Sequence, residues 1–223
     1  MKSPNRQFKD AIYEQFSRIG KAVSSPKRLE MLDLLCQGEK TVETLSRETG
    51  LTVANTSQHL QTLRAARLVE AEKEGPYVRY SLADQTVSEF FRSMRMLAEN
   101  RLAEVEMINR RFLEGREDME PVVRSDLLKR VKEGAVTVLD VRPVEEYQAG
   151  HLPGALSVPL GRLEELLASL PKDQEIVAYC RGPYCVLALK AVEILRKKGF
   201  GATRLEEGVQ DWRAMGLTLD VGD

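Results

Sequence analysis

The 223 residues include no apolar run long enough to span a bilayer, which takes about twenty consecutive apolar residues, and no signal sequence. A cytoplasmic protein with no membrane partner is therefore expected. There is no excess of charge of one sign either. The net charge is −1, and residues 1–120 hold nineteen Lys plus Arg against nineteen Asp plus Glu. A broad basic surface for nucleic acid is thus absent. Any such affinity has to come from local clusters such as Lys27, Arg28, Arg47, Arg64, Arg67, Lys73 and Arg79, opposed by Glu70, Glu72 and Glu74. Cysteine is scarce, at three residues, and in a cytoplasmic setting all three would start reduced. The length is sufficient for two domains, each with its own core.

Two of those cysteines carry the strongest chemical signal. Glu175 to Tyr179 reads as a buried strand, and Val186 to Lys198 carries apolar residues at helical spacing. The six residues Cys180-Arg181-Gly182-Pro183-Tyr184-Cys185 form a tight loop between them. A thiol held among backbone N–H groups before a helix N-terminus is favoured as the thiolate, the form that attacks sulfur. Arg181 adds a cation beside it. Cys185 has two readings. The thiols could form a disulfide if their α-carbons lie within about 7 Å, which would let Cys185 resolve a persulfide or sulfenate on Cys180. Alternatively, Cys185 is a small apolar residue packed inward at the helix start.

Upstream, Val138-Leu-Asp140-Val-Arg142-Pro, Glu145-Glu146-Tyr147, Gly150-His151-Leu-Pro153-Gly154-Ala155 and Val158-Pro159, with Leu205-Glu-Glu-Gly208-Val-Gln-Asp-Trp212 downstream, resemble the rhodanese family of sulfurtransferases. The resemblance implies an α/β domain with a parallel sheet, in which Cys180 is the nucleophile and carries a persulfide. It also implies that the loop backbone, at Gly182, Tyr184 and Val186, cradles the sulfur. Thiosulfate or polysulfide would be the donor, and Arg181 would hold its anionic end or lower the Cys180 pKa. Asp140, Arg142, Glu146 and His151 are expected to hold the loops together. Two features depart from the family: Pro183 removes one N–H from the cradle, and Glu207 stands where glycine is usual. Related phosphatases and arsenate reductases need an arginine six places after the cysteine, where this chain has Val186, so oxyanion chemistry is disfavoured.

In the N-terminal half, Phe8, Ile12, Phe16, Ile19 and Val23 predict a helix with one buried stripe. Ser25-Pro26 opens a second helix stopping at Gly38; Thr41 caps a third ending at Thr49-Gly50, and Thr52 caps a fourth reaching about Ala66. Two short helices about a glycine turn suit a helix-turn-helix. Leu60 and Leu63 would anchor the second inward, leaving Ala54, Asn55, Ser57, Gln58 and Gln61 for base edges or phosphates, with Arg28 and Arg64 as further phosphate candidates. Leu68 to Leu82 alternates around Gly75-Pro76 as a wing, from which Lys73 and Arg79 could reach the backbone or minor groove.

Pro26-Lys-Arg28-Leu, Leu34-Leu-Cys36-Gln-Gly-Glu39, the Ser57-to-Arg64 helix and the Tyr77-Val-Arg-Tyr80 hairpin together resemble the ArsR family of winged-helix repressors. That family implies a homodimer on double-stranded DNA with a palindromic operator. Its metal-sensing members use paired cysteines in the third helix or His and carboxylates on the last; neither set is found here, so no metal and no cofactor are expected. One long helix is expected from Thr86 to about Glu114, its apolar stripe serving the dimer together with the first helix. The expected organisation is multidomain: a mainly α winged helix-turn-helix domain at 1–114, a polar linker at 115–121, and a rhodanese-like α/β domain at 122–223, whose first helix opens at Ser125. A repressor that handles or senses reactive sulfur through a Cys180 persulfide is the expected function. The alternative is a sulfurtransferase that uses its N-terminal half for dimerisation. A third reading is a repressor that senses no sulfur and binds a protein partner through its C-terminal domain.

Overall fold

The computed structural model describes residues 2–114 and 121–222. The expected linker, Pro121 apart, lies outside the described residues. The chain divides into two compact units, Met1–Met96 and Leu97–Asp223. No helix among the described residues is long and apolar enough to cross a membrane.

The first unit is helical with a small sheet. Helix α1 (Pro4–Val23) starts at Ser3, whose side chain accepts from the Arg6 N–H, with proline in its first turn; α2 (Pro26–Cys36) also has proline in its first turn, after Ser25, which makes no side-chain cap bond. After the short strand β1 (Lys40–Thr41) come α3 (Val42–Thr49) and α4 (Val53–Ala65). The Thr41 and Thr52 hydroxyls accept from the N–H groups of Thr44 and Asn55 at 3.2 and 3.3 Å. Gly50, at φ 67°, closes α3 in the left-handed region that glycine adopts freely. Strands β2 (Val69–Glu74) and β3 (Tyr77–Leu82) pair antiparallel across Gly75-Pro76, and β1 joins the free edge of β3.

Met31, Leu32, Leu45, Leu60 and Leu63 are fully enclosed in the core, each side chain stabilising the fold by about 1.5–3 kcal/mol relative to exposure. The stripe expected along α1 is buried only in part. Ile19 and Val23 pack on the core, whereas Phe8, Ile12 and Phe16 remain exposed, because α1 extends beyond the core that could cover them.

The helix expected over 86–114 is in fact two, α5 (Gln85–Arg101) and α6 (Ala103–Leu113), broken at Leu102, which is extended at φ −111° and ψ 98°. Neither proline nor glycine marks the break. Beyond it, Val105 and Phe112 of α6 border the same cavity as Leu189.

In the second unit α7 (Arg124–Lys132) begins after Val123, one residue before the expected start, without a side-chain cap. There follow β4 (Val136–Asp140), α8 (Val144–Ala149), β5 (Leu156–Ser157), α9 (Leu163–Leu166), β6 (Glu175–Tyr179), α10 (Val186–Lys197), β7 (Ala202–Arg204) and α11 (Val209–Ala214). The strands form one parallel sheet in the order β5-β4-β6-β7. Alternation along β6 sends Ile176 and Ala178 to the core under α10, and Val177 and Tyr179 to a second core with Leu127, Val209 and Trp212. Chain order reverses between β4 and β6, so the carboxyl ends of these strands open a crevice where such sheets place their sites.

Candidate functional site: a two-thiol loop and a helix face

Cys180 leaves the carboxyl end of β6, and Cys185 is the N-cap of α10. The loop brings their α-carbons to 6.3 Å and joins the two sulfurs in a disulfide. Cys180 is buried with the core under α10, while Cys185 is half-buried. Gly182 at φ 149° permits the turn, and the Cys185 N–H donates to the Gly182 carbonyl at 3.1 Å. With Pro183 lacking a donor and the Cys185 N–H committed, the N–H groups of Arg181, Gly182, Tyr184 and Val186 are the remaining candidates for a sulfur cradle. Tyr184 is half-exposed and its hydroxyl donates to Glu99 of the same unit at 2.9 Å.

Arg181 follows Cys180 directly in the loop. Its guanidinium makes a two-pronged pair with Glu146 at 2.6 and 3.0 Å, and that carboxylate is almost wholly buried. The charge expected beside Cys180 is thereby matched by a carboxylate from α8.

A second buried network fixes the strand ends beneath the loop. Asp140 accepts from Arg142 Nε and Nη2 at 2.9 and 2.5 Å and from the Tyr179 hydroxyl at 2.5 Å. Arg142 also donates to the Gly150 carbonyl at 2.8 Å. Burial alone would lower the Arg142 guanidinium, but the hydrogen bond and charge of Asp140 more than reverse this. Burial pushes the Tyr179 phenol upward, and Asp140 adds to that shift. Both groups therefore hold their protons. His151 stacks on Tyr147, with ring centroids 3.6 Å apart, and its Nδ1 lies 2.9 Å from the Tyr147 carbonyl.

In the first unit, Leu60, Leu63 and Thr56 fix one side of α4 in the core, and residues three and four apart line the other. Ala54, Asn55, Gln58, Gln61 and Arg64 are exposed there, and Ser57 is half-buried. Thr62, which composition alone did not single out, shares this face. Lys73 and Arg79 lie exposed on the hairpin, where Arg79 pairs with Glu74. Arg28 instead donates to the carbonyls of Lys21 and Ala22 at the end of α1, and Lys27 to that of Thr49.

Residues 25–71 match the model of the bacterial regulatory protein, arsR family, and residues 123–215 that of the rhodanese-like domain. The HTH-type transcriptional regulator Rv0324 of Mycobacterium tuberculosis is 44% identical over 214 residues, 96% of this chain and 94% of that protein. The chain belongs to the ArsR-family transcriptional regulators that carry a rhodanese-like domain. A sulfurtransferase of Allochromatium vinosum is 29% identical over 85 residues, 38% of this chain and 78% of that protein. The winged helix-turn-helix domain (fragment 1–100) of Mb0332 from Mycobacterium bovis, a homodimer in solution, is 36% identical over 46% of this chain and 92% of its own, with a TM-score of 0.42.

As an ArsR-family regulator, the chain is a DNA-binding protein, and regulators of this type bind DNA as dimers. Its rhodanese-like half has one feature that sequence reading left unassigned. Gly208 packs so closely on the loop that a Cβ there would collide with the Arg181 carbonyl and lie 2.8 Å from Gly182 N. Next to it Glu207 donates nothing and accepts from Arg124 at 3.2 Å, while its other oxygen is buried without a partner among the described residues. Burial pushes this carboxyl up, and Arg124 opposes the shift.

Proposed function

We propose that this regulator is a cytoplasmic dimeric repressor, released from a palindromic operator when reactive sulfur converts the Cys180 and Cys185 thiols to a disulfide. The observation that carries the reading is the pairing of two thiols on one strand-to-helix loop, in a chain whose other half is a helix-turn-helix. Starting from the dithiol, the Cys180 thiolate attacks a sulfane sulfur of polysulfide. The S–S bond of the donor breaks, the shortened polysulfide leaves with the electron pair, and Cys180 becomes a persulfide. The Cys185 thiolate, favoured at the N-terminus of α10, then attacks Cys180 Sγ and expels hydrosulfide. One sulfane sulfur is reduced and two thiols are oxidised. Tyr184, between the cysteines, is tied to Glu99 on α5, so rearrangement of the loop has a route to the helices that serve the dimer.

In this reading Ala54, Asn55, Ser57, Gln58 and Gln61 meet the major groove, and Arg64, Lys73 and Arg79 the phosphates. The exposed Phe8, Ile12 and Phe16 supply part of the dimer contact. The test is retardation of the chain's own upstream DNA by reduced protein, before and after polysulfide, with Cys180→Ser and Cys185→Ser beside the wild type. Release of the wild type alone is expected. Release of both variants as well would sink the switch, and sulfur turnover without specific DNA binding would favour the sulfurtransferase alternative.

A further inference from the structure

The two sulfurs of the loop are not equally approachable. Cys180 is 2% exposed and belongs to the core beneath α10, together with Ala178, Ala188 and Ala191. Cys185 is half-buried at the N-cap of α10, and its chain neighbours Tyr184 and Val186 are both exposed. Exchange at a disulfide places the attacking, attacked and leaving sulfurs nearly in line, so an external thiol needs an open path to the far side of one sulfur. Close packing under α10 denies that path at Cys180, and the edge of the loop offers it at Cys185. Leaving-group quality does not separate the two directions. A Cys180 thiolate is favoured among the loop N–H groups, and a Cys185 thiolate at the helix N-terminus. Access therefore decides.

We propose that the disulfide is reopened at Cys185 by a low-molecular-weight thiol. The inference rests on the reading of the disulfide as the oxidised state of the loop, and concerns how that state is reset. A thiolate RS⁻ attacks Cys185 Sγ, the bond between the two cysteine sulfurs breaks, and its electron pair leaves on Cys180. Cys185 then carries a mixed disulfide. A second RS⁻ attacks the R-bearing sulfur, forms RSSR and releases the Cys185 thiolate. The protein disulfide gains two electrons, and two external thiols lose them. Sulfur thus enters the loop at one cysteine and reducing equivalents at the other.

The full-length wild type, its disulfide formed with diamide, would be treated briefly with glutathione and quenched with excess N-ethylmaleimide in denaturant. Trypsin cuts after Arg181, placing Cys180 in peptide 173–181 and Cys185 in peptide 182–190, so mass spectrometry reads each sulfur by itself. At the shortest times glutathione is expected on 182–190 in at least about tenfold excess over 173–181, with the maleimide on Cys180. Glutathione chiefly on 173–181, or an even split, would overturn the proposal. Where reclosure keeps the mixed disulfide scarce, the single-thiol variants decide. Cys180→Ser, which keeps Cys185, should be modified by glutathione disulfide at least about tenfold faster than Cys185→Ser, and equal or reversed rates would overturn the proposal. Because diamide forms the disulfide, failure of polysulfide to release DNA would sink the sulfur switch and leave this route standing, whereas glutathione on Cys180 would do the opposite.

Discussion

The two halves commit their polar residues in opposite ways. Around the thiol loop the charged side chains are buried and matched, Arg142 with Asp140 and Arg181 with Glu146, and their work is to hold a backbone shape. Along α4 the polar side chains are exposed on a helix whose other side is anchored by Leu60 and Leu63. A loop that presents sulfur must be rigid before its substrate arrives, whereas a face that meets DNA needs small, accessible groups on an element already rigid. Substitutions in the first region should therefore cost folding energy and geometry, and those in the second should cost binding alone.

The largest effect is expected at the buried pair. Arg142→Met removes the cation from a carboxylate that is itself inaccessible, leaving Asp140 with only its Tyr179 and backbone donors. Loss of a buried partner costs about 3–5 kcal/mol, and urea unfolding should show a loss of that size. Asp140→Leu combined with Arg142→Met should recover part of it, since no charge is then stranded. A loss below about 1 kcal/mol in the single variant would mean that the network does not hold the strand ends.

Gly208→Ala comes next. The added methyl meets loop backbone, not a flexible side-chain end, so the loop or α11 has to move, at a cost of about 1–3 kcal/mol. The reactivity of the reduced Cys180 toward a thiol reagent should change in the same variant. Unchanged stability and reactivity would show that the loop yields freely, contrary to the rigidity ascribed to it.

These two sites mark where sequence reading succeeds and where it runs out. Ser25-Pro26, Thr41, Gly50 and Thr52 announce the helices of the first unit because a cap acts within four residues of chain. The strand-loop-helix around Cys180 is legible for the same reason, as is Thr52 setting the start of α4. Contacts that join distant segments are not legible in this way. Nothing near Arg181 signals that its partner is Glu146, thirty-five residues away, nor near Arg28 that it terminates α1. The break at Leu102 has no local breaker at all: neither proline nor glycine stands there, so no residue type in the sequence announces it.

On the exposed side of the comparison, Gln58→Ala and Gln61→Ala should each lower operator affinity by about 1–3 kcal/mol while leaving the unfolding free energy within about 0.5 kcal/mol of wild type. Fluorescence anisotropy and thermal unfolding on the same samples check both halves of the statement. A variant that loses stability in step with binding would erase the contrast between the two regions.

The smallest effect expected sits at Glu207, a carboxylate beside the loop whose environment disfavours its charge. Its pKa is raised in the folded protein above the ordinary 4.5, chiefly by burial. A carboxyl raised on folding gives up stability as pH climbs from its unfolded value through its folded one, because the native state must then ionise a group it would keep neutral. That penalty is present once pH has risen past the folded-state value, and Glu207→Gln removes it while retaining an acceptor for Arg124. The variant should be the more stable by under about 1 kcal/mol at pH 7. The advantage should shrink as pH falls through the folded-state value toward the unfolded one, since the wild-type carboxyl then takes up a proton and loses its charge. A gain that stays constant across that range would assign the effect to packing, and a loss at pH 7 would mean that the ion pair with Arg124 outweighs the cost of burial.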